Sequence, residues 1–261
     1  MHANLLGVHE IAAYLDGLLE TASVPDYPGA VNGLQLENVA PIRGVTAAVD
    51  FSTAAINAAI ETGSNLLVVH HGMFWGGAAP LRGVVYNRLQ KLFKHDIAVY
   101  SSHLPLDRHP SFGNNVLLAK ELGLEPTASF AHYEGHSIGV RGNCDVETAT
   151  LLKTATEFSS THDTVLRSTK LSKDRRTLHW AICTGAGASA DTLKEAREFD
   201  IDTLIVGEGP HWTAVEAEEH GLCVIYAGHY ATETLGVRAI GAHLAARYGI
   251  PFNFAHASTG L

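Results

Sequence analysis

The feature that most constrains this chain is that its two halves repeat one pattern. Residues 56–72 align without a gap onto 193–209, which places Asn65 on Asp202, Leu67 on Leu204, Val69 on Val206 and Gly72 on Gly209. Residues 97–123 align without a gap onto 223–249, placing His103 on His229, Asp107 on Glu233, Leu118 on Leu244 and Ala119 on Ala245. The glycine-rich loop after His71 absorbs the difference between the two registers. Units of strand and helix resemble one another by chance, and that is the alternative to a duplication. The duplication is favoured because each half carries a histidine after the same apolar run and an acid four residues later.

Short apolar runs alternate with segments of helical period. Apolar residues at Val8, Ile11, Ala12, Leu15, Leu18 and Leu19 form a helical stripe. Strands are expected at 44–49, 66–69, 97–101, 178–183, 203–206 and 223–226. Helices are expected at 54–61 (capped by Ser52 and Thr53, stopped by Gly63), 84–94, 114–122, 190–198, 213–220 and 233–247. Between the halves, 125–177 predicts a strand at 137–140, a helix at 149–158 and a polar loop at 168–176, and we read no chemistry in it. This alternation predicts an α/β fold of two pseudo-symmetric lobes. The boundaries expected are 1–125 and 126–261, with the C-terminal helix available to pack on the first lobe.

In such folds ligands gather beyond the carboxyl ends of strands, where His70, His71, His103, Glu208 and His229 are expected. Imidazoles and carboxylates collected there suit a divalent metal site. If the strand geometry persists, His70 and His71 point to opposite faces. They would then serve two neighbouring metals, or one would be a ligand and the other structural. Pro105 argues against a helical His103–Asp107 pair, so Asp107 projects from a turn, as ligand or as turn aspartate. Glu233 opens the last helix, where a carboxylate also suits the helix dipole. Glu208 and His211 are candidates for proton transfer, for orienting a ligand or for touching substrate. The segment Asn32-Gly33-Leu34-Gln35 reads as a turn, with a substrate-facing loop as the alternative.

The sixteen histidines are unusual for 261 residues, so only those with a positional argument count. Charged residues make up 17%, which suits a surface partly covered by partner subunits, and the net charge of −9 argues against nucleic acid. The densest basic spot, Lys170 to Arg176, reads as a solvated loop. Three widely spaced cysteines form no CxxC pair, which points to a reducing cytoplasm. Cys183 and Cys223 sit in apolar runs as core thiols. No run reaches membrane-spanning length, and the opening residues Met1 to Leu6 lack the pattern of a signal peptide.

Together, Asn32-Gly33-Leu34-Gln35, Val49-Asp50, His70-His71, His103-Leu104-Pro105-Leu106-Asp107, Gly207-Glu208 and Gly228-His229-Tyr230-Ala231-Thr232-Glu233 resemble the Nif-three-like family of dinuclear metal-centre proteins, also known as type 2 GTP cyclohydrolase I homologues. The resemblance implies intertwined α/β lobes and a toroidal homohexamer. It also implies two divalent metal ions (Zn, Mn, Fe, Ni or Mg) on His70, His71, Asp107, His229 and Glu233, with Glu233 bridging. His103 fits the family's histidine near the site. Two positions depart from the family pattern. Gly72 stands where a proline is frequent, and Leu104-Pro105 where Thr-Asn is frequent; neither removes a ligand. The expectation is a metal-dependent hydrolase acting through activated water on a nucleotide or phosphoester, although no P-loop or guanine-reading motif is present. The rival is a ring-forming metal-binding or adaptor protein without turnover; a nucleic-acid clamp is the weaker third option.

Overall fold

The structure, a computed structural model, describes residues 6–75, 77, 80–170, 172 and 174–261. Part of the loop expected at 76–80, part of the polar loop at 168–176 and the residues Met1 to Leu5 of the signal-peptide reading lie outside that set. The chain runs through α1 (Val8–Leu18), β1 (Gly33–Leu36), β2 (Val45–Asp50), α2 (Thr53–Thr62), β3 (Leu66–His71), α3 (Val84–His95), β4 (Ala98–Ser101) and α4 (Leu104–Asp107). It continues through α5 (Asn114–Glu121), β5 (Ala128–Tyr133), β6 (His136–Glu147), α6 (Thr148–Ser160), β7 (Arg167–Ser168) and β8 (Arg176–Cys183). The remaining elements are α7 (Ala190–Glu198), β9 (Thr203–Val206), α8 (His211–Glu219), β10 (Cys223–Tyr226), α9 (His229–Tyr248) and β11 (Phe252–Phe254).

Two sheets result, ordered β1-β4-β3-β2-β11 and β5-β6-β8-β9-β10-β7. In the first, β2, β3 and β4 are parallel and β1 closes antiparallel on β4. In the second, β8, β9 and β10 are parallel and β7 closes antiparallel on β10. The duplication therefore reaches the edge strands.

Local chemistry repeats as well. Ser52 caps α2 by accepting the Ala55 N–H, and Ser189, at the equivalent place, caps α7 by accepting the Thr192 N–H, both at 3.1 Å. Asn65 Oδ1 accepts the Arg43 N–H, and Asp202 Oδ2 accepts the Leu178 N–H, both at 2.8 Å. The gap-free alignment beginning at Ile97 needs one correction. Sheet pairing matches Ala98, not Ile97, with Cys223, because Leu66 faces Ala98 and Thr203 faces Cys223. One extra residue therefore stands between the strand and the histidine in the second copy. Gly228, at φ +100°, occupies that connection.

The compact units do not coincide with 1–125 and 126–261. One comprises 1–106 and 236–257, the other 107–235 and 258–261. The chain leaves each unit just after the histidine that follows its last parallel strand, so the two copies exchange the segments that come next. Helix α5 accordingly belongs to the second unit and the C-terminal part of α9 to the first.

The core follows from strand alternation. On the second sheet, Ala181, Cys183, Leu204, Val206 and Val224 bury one face with Leu193 and Ala196 of α7 and Ala217 of α8. Trp180, Ile182, Ile205, Cys223 and Ile225 bury the other with Leu118 of α5 and Leu151 of α6. On the first sheet, Ala48, Leu67, Val69 and Val99 pack with Ile56 of α2 and Leu92 of α3. Cys183 and Cys223 are core residues, and burial pushes the Cys223 thiol up to about 11. The segment 125–177 supplies more than the single strand expected: β5 and β6 form a hairpin that extends the second sheet. Asn32-Gly33-Leu34-Gln35 is not a free turn either, because Gly33 onward forms β1. Among the described residues no helix is long and apolar enough to cross a membrane.

Asn65 is fully buried; it accepts from Arg43 and donates to the Pro41 carbonyl at 3.0 Å. Asn65→Ala strands two backbone groups and should cost about 2–5 kcal/mol in urea denaturation, and a loss below about 0.5 kcal/mol would contradict this reading.

Candidate metal centre

In the first unit, β3 continues through both His70 and His71 instead of ending at Val69. His70 is fully buried and His71 half-buried. Their rings nevertheless approach, with centroids 4.9 Å apart, and His103 lies 4.8 Å from His70 and 5.6 Å from His71. One ring nitrogen from each of the three lies within 4.8 Å of the others. The expected divergence to opposite sheet faces is overcome at the ring ends, because each imidazole is steered by an oxygen.

The steering is the same for all three. His70 Nδ1 bonds the Ser102 carbonyl at 2.9 Å, His71 Nδ1 bonds Asp50 Oδ1 at 2.8 Å and His103 Nδ1 bonds Asp26 Oδ1 at 2.8 Å. A carbonyl or an ionised carboxylate can only accept, so Nδ1 carries the proton and donates, and in the neutral ring the lone pair sits on Nε2. Asp50 reaches His71 because the two residues are paired across β2 and β3. Asp26 Oδ2 also accepts the Leu104 N–H at 3.0 Å and the Asn32 amide at 2.8 Å, while Asn32 Oδ1 accepts the His103 N–H at 2.7 Å. Burial, the largest influence, raises the Asp26 carboxyl, but the bonds and charge of His103 with those of Asn32 and Tyr27 outweigh it and hold the group below its ordinary value.

Gly72, the departure from proline, leaves room for the Gln35 amide, which a Cβ there would strike. Gln35 accepts the Met73 N–H at 2.7 Å and donates to the Val31 carbonyl at 2.6 Å. The Asn32–Gln35 segment thus holds His103 and the backbone beyond His71.

In the second unit, α9 begins at His229, four residues before the expected start. His229 and Glu233 are therefore one turn apart on one helical face, with Nε2 to Oε2 at 3.1 Å. Nδ1 of His229 bonds Glu208 Oε1 at 2.9 Å. Burial, the largest single influence on His229, lowers its pKa, but Glu233 and Glu208 together raise it to about 9. Gly185, at φ +62°, gives the buried Glu233 carboxylate its place, since a Cβ there would collide with Oε1. Gly207, the counterpart of His70 in the repeat, is covered by the His229 backbone, so the second copy has no paired histidine.

Asp107 is buried at the end of α4. Contrary to the expectation of a plain turn, Leu104–Asp107 is one helical turn. Pro105 is tolerated because first-turn N–H groups have no partner within the helix. Asp107 Oδ1 accepts from Asn114 Nδ2 at 2.8 Å and from Thr184 Oγ1 at 3.5 Å. Glu208 is engaged in orienting His229, while His211 opens α8 as an exposed residue, and no described hydrogen bond joins it to the cluster.

The donor set in each unit fits divalent cations. Two donors about 2.0–2.2 Å from one tetrahedral cation lie roughly 3.4 Å apart, close to the His229–Glu233 separation. Sequence comparison places the chain in a family. The profile of the DUF34/NIF3 family, NGG1p interacting factor 3, matches residues 6–259. The chain belongs to the DUF34/NIF3 family. Curated relatives called GTP cyclohydrolase 1 type 2 homolog include one from Deinococcus radiodurans, 35% identical over 98% of this chain and 95% of its own length. Another, from Halobacterium salinarum, is 39% identical over 91% of this chain and 94% of its own. Among solved structures, the ybgI protein of unknown function superposes with a TM-score of 0.87 at 30% identity, covering 98% of this chain and 100% of its own. TTHA1606 from Thermus thermophilus does so with a TM-score of 0.83 at 35% identity over the same shares. The two-lobed α/β fold is thus that of the family.

Sequence reasoning missed Asp26, Asn114, Thr184 and Gly185. Asp26 stands beside Tyr27-Pro28-Gly29 and reads as turn chemistry, and the other three carry no signal of their own.

In the metal-free protein the His229 ring should titrate near pH 9 by NMR. Its folded-state pKa is raised, so its contribution to stability is complete below about 6.5 and is lost as pH rises through about 9. Glu208→Gln combined with Glu233→Gln should bring the titration back to 6.5 or below; a wild-type value at or below 6.5 would contradict the assignment.

Proposed function

We propose that this protein is a metal-dependent hydrolase in which His70, His71, Asp107, His229 and Glu233 would hold two divalent cations. One observation carries the reading. Four histidines, His70, His71, His103 and His229, each have Nδ1 fixed by an oxygen, which makes Nε2 the ligating nitrogen, on His229 once it gives up the proton it shares with Glu233. Carboxylate–imidazole pairs of this kind orient a ligand and raise its basicity. The donors are imidazole nitrogens and carboxylate oxygens, a set that suits Zn, Mn, Fe or Ni, with Mg least favoured by the imidazoles. Thiolate ligation is disfavoured, since burial, with Asp107, Glu195 and Glu233, pushes the Cys183 thiol up.

When bound, such cations acidify water and polarise an electrophile. The chain's own residues set the stage. Asp50 and Glu208 hold His71 and His229 in one tautomer, Asp26 and Asn32 position His103, and Asn114 with Thr184 fixes Asp107. Glu208 acts on His229, and His211 at the exposed start of α8 is the candidate to contact substrate or carry protons. The name of the curated relatives, GTP cyclohydrolase 1 type 2 homolog, favours a nucleotide substrate, with other phosphoesters as the alternative. Self-association into a ring is supported by the exposed Val84 and Tyr86 on α3. The three free cysteines suit a reducing cytoplasm. The rival reading, metal holding without turnover, draws on His103, whose Nε2 adds a further donor beside His70 and His71 and would help to close the coordination sphere.

Metal analysis of the purified protein should find two divalent ions per chain. Asp50→Ala or Glu208→Ala should weaken metal binding by about 10–100-fold. Glu233→Ala should lose both metal and hydrolysis in a nucleotide and phosphoester panel with Mn²⁺, Zn²⁺ or Fe²⁺. Undiminished metal in Glu233→Ala would remove it from the ligand set, and full metal with no turnover on any substrate would favour the rival.

A further inference from the structure

The first unit contains a cavity of about 550 Å³ that reaches the His71–Asp50 pair. Its volume is that of a small-molecule site, which typically spans about 300–1,000 Å³. Four aromatic rings line it, those of Phe51, Phe74, Trp75 and Phe93. Trp75 stands edge-on to His71, with centroids 5.5 Å apart, and to His103 at 4.9 Å, so the aromatic wall adjoins the candidate ligands. Aliphatic walls accept any apolar group, whereas ring walls select a planar one through stacking and edge contacts.

The polar groups of the cavity are unequally satisfied. Asp50 is engaged with His71, and Gln35 is bonded at both ends of its amide. Arg88 differs. Its guanidinium lies 5.5 Å from the Phe51 ring centroid, its Nε donates to Thr53 Oγ1 at 3.3 Å, and no described carboxylate lies within ion-pair distance of it. A guanidinium beside an aromatic wall is suited to bind an anionic substituent on a stacked ring.

We infer that this cavity receives a planar aromatic ring bearing an anionic group, the ring held among Phe51, Phe74, Trp75 and Phe93 and the anion paired by Arg88. This names the substrate class of the hydrolase proposed above and rests on that reading. The ring would thereby be held beside His71, where the reactive part of the molecule meets the metal ligands.

The test uses the full chain stripped of metal by chelator, so that its outcome does not depend on whether cations bind. Three probes are titrated by calorimetry and tryptophan fluorescence: 2-naphthoate, its neutral analogue 2-naphthamide, and the saturated decalin-2-carboxylate. Naphthoate should bind saturably with one site per chain and quench fluorescence, and the quenching should vanish in Trp75→Phe. The amide and the decalin acid should each bind at least about tenfold more weakly. Arg88→Gln, checked for folding by circular dichroism, should weaken naphthoate to the level of the amide and leave the amide unchanged. No saturable naphthoate binding, equal affinity for acid and amide, or an unaltered affinity in Arg88→Gln would each overturn the inference. Metal content, measured separately on the untreated protein, reports on the hydrolase reading alone.

Discussion

The interaction on which the site depends is the bond from imidazole Nδ1 to a fixed oxygen. A free histidine offers either nitrogen and rotates about two bonds. In this chain the Ser102 carbonyl, Asp50, Asp26 and Glu208 each remove that choice. The oxygens are positioned by the fold. Asp50 is set by the pairing of β2 with β3, Ser102 by the end of β4, and Glu208 by the loop that follows β9, where its N–H donates to the Gly185 carbonyl. The parallel strands of each sheet thus aim the donor atoms.

Duplication explains why the donors differ between units. The two copies share strand order, helix caps and the polar residue before the second strand, yet their ends have diverged. The first copy has His70-His71, and the second has Gly207-Glu208 at the same places. Gly207 cannot carry a side chain because the His229 backbone lies against it. Space taken by the α9 start therefore turns one copy into a source of paired imidazoles and the other into a source of a carboxylate on a helix. Burying the Asp107 and Glu233 carboxylates is costly unless something compensates their charge. In the metal-free chain Asn114 and Thr184 serve Asp107, and protonated His229 serves Glu233. Cation binding would replace that proton.

Much of this was readable from residue pattern. Apolar runs of strand length, the serine cap with its glycine stop, and the twofold register disclosed the central strands of both sheets and the strand ends at which the candidate ligands lie. The long β6 was mostly hidden because it carries Gly139 and Gly142, which lower strand character. Their reason is tertiary: Gly142 makes room for the Trp180 indole and Gly139 for the Ile182 carbonyl. The one-residue offset before His229 was hidden because glycine insertions leave the flanking pattern intact. Asp26, Asn114 and Thr184 were hidden because hydrogen bonds between distant residues leave no periodic trace.

The most direct test is anomalous diffraction from crystals of the manganese- or zinc-loaded protein. The account predicts two peaks per chain contacting Nε2 of His70, His71 and His229 and the carboxylates of Asp107 and Glu233, with every Nδ1 still bonded to its oxygen. A single peak away from these atoms, or ligation through Nδ1, would contradict it.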